Sequence, residues 1–189
     1  MPQIDGIISF LDSRSFGTIW YWLVVIGMWS VSGRNIIGVP VEIVIRARRA
    51  MSRDEMDGSA LVSLLDWLSL TLPRWQLGRR EGAIFLGVTV FLVTSLAGLG
   101  FGHDLEMAQA LTLLLLPFLI LFWMRVRLAY RLTPLLQNEE ADQQLETIAR
   151  EAIRRMIWHR RLVTLLSILA VAITALWGVL WSLMHPNGM

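Results

Sequence analysis

Cysteine and lysine are both absent from the 189 residues. The first absence excludes disulfides, thiolate metal sites and cysteine-ligated iron–sulfur clusters within the chain. The second means that all 17 positive charges are arginines, set against 15 carboxylates for a formal net charge of +2. No G-x-S-x-G, H-E-x-x-H or phosphate-loop pattern occurs either, so the short motifs that most directly announce hydrolytic or nucleotide chemistry are missing. Charge of any kind is missing from four long stretches, and those stretches organise everything else.

What is abundant is apolar surface. Hydrophobic residues make up 55% of the chain, and the mean hydropathy is +0.56. A soluble domain cannot hide that much, so membrane burial is the first expectation. The four runs without Asp, Glu, Lys or Arg are 15–33, 82–102, 107–124 and 162–184, which hold 19, 21, 18 and 23 residues. A helix crossing a bilayer core needs about 20 apolar residues, within a range of about 17–25. The expected fold is therefore all-α: a polytopic membrane protein with four transmembrane helices, forming a single integral membrane domain over 1–189. The first run does not read as a cleaved leader, because only Asp5, Asp12 and Arg14 carry charge before it and no small-residue cleavage pattern follows.

Arginine placement orients the spans. One arginine, Arg14, precedes the first run, eight lie in 34–81, none between the second and third runs, eight in 125–161 and none after the fourth. The alternation 1, 8, 0, 8, 0 is the pattern that the positive-inside rule produces. It places segments 34–81 and 125–161 in the cytoplasm of a bacterial inner membrane and both termini outside. Trp20, Tyr21, Trp22, Trp177 and Trp181 fit an outer aromatic belt, and Trp75, Trp123 and Trp158 an inner one.

The stretch GLGFGHDLE, residues 98–106, looks at first like chemistry. Lying between two spans, it reads instead as the tight outer turn of a transmembrane hairpin. Its glycines allow reversal and close helix approach. Asp104 is placed to cap the third helix, with Glu106 in its first turn where the helix dipole favours an anion. A metal site here would have one histidine and two carboxylates with no second cluster, so metal and nucleotide binding are not expected.

The cytoplasmic segments have their own pattern. Pro40 discourages helix through residue 39, so a short interfacial helix is expected from about Pro40, with Arg46, Arg48 and Arg49 among lipid phosphates. Ser52 to Glu55, SRDE, matches a capping box. Leu61, Leu64, Leu65, Leu68 and Leu72 recur at helical spacing up to Pro73 and predict an amphipathic helix, with Asp66 a solvated carboxylate. Pro134 is expected to break the helix leaving the third span. Beyond about Asn138, Leu145, Ile148, Ala149, Ala152, Ile153 and Met156 form an apolar stripe on a helix that continues into the fourth span. The stripe either packs on the chain itself or on headgroups, or it binds a partner. Leu145, Ile148, Ala152 and Met156 are the partner-binding residues of the second reading.

No ionisable group lies in any of the four runs, which leaves catalysis and ion transport without their usual intramembrane groups. His103 and His185 sit at the outer edge and His159 at the inner edge, so the chain supplies no axial pair for a haem at depth. No catalytic, cofactor or metal residues are assigned. Small residues do recur at four-residue intervals: Thr94, Gly98 and Gly102 in the second span, and Ala170, Thr174, Gly178 and Ser182 in the fourth. Such stripes let helices pack closely, within the chain or against another subunit.

Three stretches, SRSFGTIWYW, GVPVEIVIRARR and LGFGHDLEMAQALTLLLLP, resemble a family of small bacterial inner-membrane proteins commonly labelled "component of SufBCD complex". The resemblance covers about 4–50 and 85–130. It implies a link to iron–sulfur assembly on a soluble scaffold, in which a chain without cysteine could tether or regulate a partner but hold no cluster by thiolates.

The expected function is that of a non-enzymatic accessory, scaffold or assembly subunit of an inner-membrane complex. Its expected partners are membrane lipids and either another protein or a second copy of the chain. The arginines are accounted for by topology and anionic lipid, without nucleic acid. The alternative is a transporter or channel subunit, active only as an oligomer, with a groove lined by Thr89, Thr94, Ser95 and Thr112. An integral membrane enzyme is the third and weakest reading.

Overall fold

The computed structural model describes residues 15–52, 58–137 and 145–184. Nearly all of them are helical. In chain order the elements are α1 (Ile19–Arg34), a two-stranded hairpin of β1 (Asn35–Ile36) and β2 (Val39–Pro40), α2 (Val41–Ser52), α3 (Gly58–Thr71), a 3₁₀ turn (Leu72–Trp75), α4 (Arg79–Gly102), α5 (Glu106–Gln137) and α6 (Leu145–Met184). Three of these, α4, α5 and α6, are long and apolar enough to cross a membrane. Their 24, 32 and 40 residues correspond to about 36, 48 and 60 Å at 1.5 Å per residue. The first uncharged run gives the shorter α1, whose 16 residues reach about 24 Å.

The chain divides into two compact units. One combines 1–29, 79–120 and 165–189; the other combines 30–78 and 121–164. The first gathers the uncharged runs, apart from a few residues at their ends, and the second most of the two arginine-rich segments. The single domain expected from the sequence is thus composed of two units.

The arginine-rich unit has a continuous core. The hairpin contributes Ile36, Ile37 and Val39; α2 contributes Val44 and Ala47; α3 contributes Leu64 and Leu68. Leu128 and Leu132 come from α5, and Ala152, Ile153 and Met156 from α6. Pro40 ends β2 and α2 begins one residue later, because proline supplies the φ of a first helical turn and needs no donor. Val41, Val44 and Ala47 turn inward while Glu42, Arg46, Arg48 and Arg49 stay exposed. In α3 the leucines at 64 and 68 are fully buried, as nearly is Leu72 in the 3₁₀ turn that follows, whereas Asp66 is exposed. The outward side of α3 is not purely polar, since Val62, Trp67 and Leu70 are exposed as well. The SRDE capping box falls largely outside the described residues.

The hairpin turn is Ile37–Gly38, with Asn35 opposite Pro40 and Ile36 opposite Val39. Both turn residues have positive φ, 54° and 84°, as a two-residue primed turn requires. Gly38 adopts this freely. Ile37 does not: left-handed geometry costs an L residue roughly 1–2 kcal/mol. Its side chain is completely buried, and full burial of an isoleucine contributes about 1.5–3 kcal/mol. Packing therefore holds a branched residue where local preference would refuse it.

Proline 134 does not end α5, contrary to the expectation from sequence. The helix continues to Gln137. Leu132 is buried, and Leu135 and Leu136 pack on the core to either side of the proline, so tertiary burial outweighs the lost backbone bond. The same stretch is tied down by polar contacts. Gln76 Nε2 donates to Thr133 Oγ1 at 2.8 Å, Tyr130 donates its hydroxyl to Leu77 O, and Arg155 Nη1 donates to Arg131 O at 2.7 Å. Two i,i+4 ion pairs brace the start of α6: Arg150 to Glu146 and Arg155 to Glu151, each at 2.6 Å.

Candidate functional site

In the unit of uncharged runs, the polar groups converge near residues 100–109. Helix α4 stops at Gly102, and Asp104 follows in the left-handed region at φ 55°. Leu105 N donates to Gly100 O at 3.1 Å, which is the long-range bond of a Schellman-type C-terminus. Asp104 thus closes the end of α4. It does not cap α5, whose flanking residue is Leu105, and this corrects the sequence assignment. Aspartate serves here because its short polar side chain tolerates left-handed geometry better than most.

Glu106 does more than face a helix dipole. It is buried, and its Oε1 accepts from both Ser15 N and Phe16 N at 2.7 Å. The carboxylate thereby fixes the segment leading into α1. One turn later Gln109, 1% exposed, bridges three helices. Its Nε2 donates to Gly100 O at 2.9 Å, and its Oε1 accepts from Trp177 Nε1 at 2.8 Å. That arrangement needs α4 and α5 in backbone contact. At Gly100 an added Cβ would stand 2.7 Å from Gln109 N and 3.0 Å from Ala108 C, closer than atoms can pack. Glycine is therefore required at 100 by approach, not by turn geometry.

The residues assigned to helix packing fall on different sides. In α4, Thr94, Gly98 and Gly102 are all exposed, and a Cβ added at Gly98 or Gly102 would meet nothing within 4 Å. In α6, Thr174 is buried, with its hydroxyl donating to Ala170 O at 2.8 Å. Phe16 lies against Gly178, 3.2 Å from where a Cβ would be. Ala170 is half-buried and Ser182 exposed. A close contact of α4 within the chain is at Gly100, which sequence periodicity passed over. The only hint was its place in the run of alternating glycines.

The residues assigned to partner binding are mostly committed to the chain's own core. Ala152 is 2% exposed and Met156 fully buried, among the hairpin, α2, α3 and α5 residues of the core. Ile148 is half-buried, and the Leu145 side chain lies outside the described ones. A side chain already buried in its own fold is not available to a partner, so the partner-binding assignment is corrected for Ala152 and Met156. Of the four hydroxyls considered for a transport groove, those of Thr89 and Thr112 donate to Phe85 O and Ala108 O on their own helices, at 2.6 and 2.7 Å. Among the described residues no three histidine or carboxylate groups come together as metal ligands.

One charged group remains, in the arginine-rich unit. Arg125 is the first charged residue after the third uncharged run. Its Nη2 donates to Ser32 O at 2.8 Å, satisfying one of the last carbonyls of α1, where a cation is favoured by the helix dipole. Its guanidinium carbon lies 5.7 Å from the centre of the Trp75 ring, within cation–π reach. Trp75 is itself 5.9 Å from Phe122, centre to centre. His159, 6% exposed, feels the same charge. Burial and then Arg125 hold its imidazole below the ordinary histidine range, hence neutral. The Nε of Arg125 is buried with no acceptor among the described residues. No family model, curated protein or solved structure matches the chain.

Proposed function

We propose that this protein is a non-catalytic accessory or assembly subunit of a complex in a bacterial inner membrane. In this reading all four uncharged runs cross the bilayer, both termini lie outside and the arginine-rich segments lie inside. The resemblance to the SufBCD-labelled family makes iron–sulfur assembly proteins the first partners to consider.

The observation that carries the reading is the unpartnered small-residue face of α4. Of its most apolar 18-residue window only 11% is buried within the chain. Gly87, Phe91, Thr94, Gly98 and Gly102 share one helical face by their spacing of four, three, four and four. Phe91 is 70% exposed, and the glycines meet nothing within 4 Å. Each glycine costs an interior helix position up to about 1 kcal/mol relative to alanine, and lipid contact gives no return for it. Close approach of another helix does. The occupant is thus a transmembrane helix of another protein. The transport alternative gains nothing comparable, because the hydroxyls at 89 and 112 are turned to their own backbones.

A photoreactive amino acid placed at Phe91 or Thr94 in living cells tests this. Irradiation is expected to give a discrete adduct with a second protein, weakened when Gly98 is also changed to leucine. Adducts with lipid alone would refute the reading. An adduct at twice the chain's 21.5 kDa would replace the partner protein with a second copy.

A further inference from the structure

We propose that Arg125, beside the Trp75 ring, binds the phosphate of an anionic lipid headgroup. The starting point is an imbalance. Among the described residues no carboxylate pairs with Arg125, and of its donor groups only Nη2 is engaged, by Ser32 O. The Nε–H is buried without an acceptor, and a buried donor left unmet costs roughly 1–3 kcal/mol. A carbonyl and a ring face compensate a guanidinium only in part. Its planar fork is complementary to an anion with two oxygens.

The neighbours select which anion and from where. Trp75 offers an aromatic surface of the kind that collects at the level of lipid headgroups. By register, Arg125 immediately follows one uncharged run, and Arg160 and Arg161, both exposed, immediately precede another. All three therefore belong at one depth, where the phosphates of the inner leaflet lie. An arginine in a soluble fold would not be given that depth, and a freely diffusing phosphate would not need the aromatic wall. The ligand assigned is a phosphodiester headgroup with net negative charge.

The test uses the full chain, purified in mild detergent, stripped of lipid and titrated with phosphatidylglycerol, phosphatidylcholine or inorganic phosphate. Retained lipid is read by native mass spectrometry, and melting by tryptophan fluorescence. The wild-type protein should retain phosphatidylglycerol and melt at higher temperature with it, and should respond little to phosphatidylcholine. Arg125→Gln should weaken retention about ten- to a hundredfold, the worth of one charge-assisted contact, while Arg127→Gln, at an exposed neighbour, should not. Should Arg125→Gln fail to fold, Arg125→Lys, which keeps the charge but loses the planar fork, should still weaken retention of phosphatidylglycerol, and unchanged retention overturns the proposal. Equal response to the two lipids, or equal retention by wild type and Arg125→Gln, overturns the proposal. A response to inorganic phosphate equal to that of phosphatidylglycerol overturns the lipid assignment in favour of a free-anion site.

Discussion

Ala152→Asp is expected to dismantle the arginine-rich unit while leaving membrane insertion intact. The residue is 2% exposed in a core shared by the hairpin, α2, α3, α5 and α6. A carboxylate there has no partner and no water, and introduced buried charge belongs to the class of substitution that costs more than about 4 kcal/mol. Marginal stability is only about 5–15 kcal/mol for a whole domain, so the effect on one unit is large. Insertion should persist because the apolar runs and all the arginines are untouched. Hydrogen exchange in detergent is the direct readout: peptides from 41–52 and 58–71 should lose most of their protection. Wild-type protection in those peptides would show that the stripe faces outward after all and would restore it as a docking surface.

The second large effect is at Gly100. Gly100→Leu must push α5 away, since even the first added carbon would lie 2.7 Å from Gln109 N. Overpacking costs typically 1–3 kcal/mol, and separation also breaks the two side-chain bonds of Gln109, at about 1 kcal/mol each. The sum is on the order of 3–5 kcal/mol. Gly98→Ala is the matched control. It faces open space and should be neutral, or stabilising by up to about 1 kcal/mol through helix propensity. Thermal unfolding in detergent, followed by tryptophan fluorescence, separates the two. If Gly100→Leu melts like wild type, the hairpin of α4 and α5 does not rest on this contact.

These two positions also show what a sequence can and cannot disclose. The lengths of the apolar stretches were legible because charge is costly inside a bilayer, so a helix that crosses one leaves about 20 residues without it. The start of α2 after Pro40 and the inward leucines of α3 were legible because proline and helical spacing act locally. What a stripe touches is not local. Leu145 to Met156 has the same spacing whether it meets the chain's own core or another protein. Gly98, Gly100 and Gly102 are alike in the sequence, and only the position of α5 singles out Gly100. Ile37 and Pro134 run the other way, since each stands in geometry its own chemistry resists and is held by the burial of neighbours far away in sequence. Arg125 was legible as a topology marker but not as a cation with no counter-anion among the described residues, because pairing depends on neighbours far away in sequence.

The central claim is that the arginine-rich segments lie on the inner side and the turn between α4 and α5 on the outer. The chain's lack of cysteine makes single-cysteine labelling the most direct measurement. His103 and Arg150 are both exposed, and His103→Cys and Arg150→Cys disturb no buried contact. In intact spheroplasts a membrane-impermeant maleimide should label the cysteine at 103 and leave the one at 150 unlabelled until the membrane is permeabilised. Labelling at 150 with protection at 103 would contradict the account.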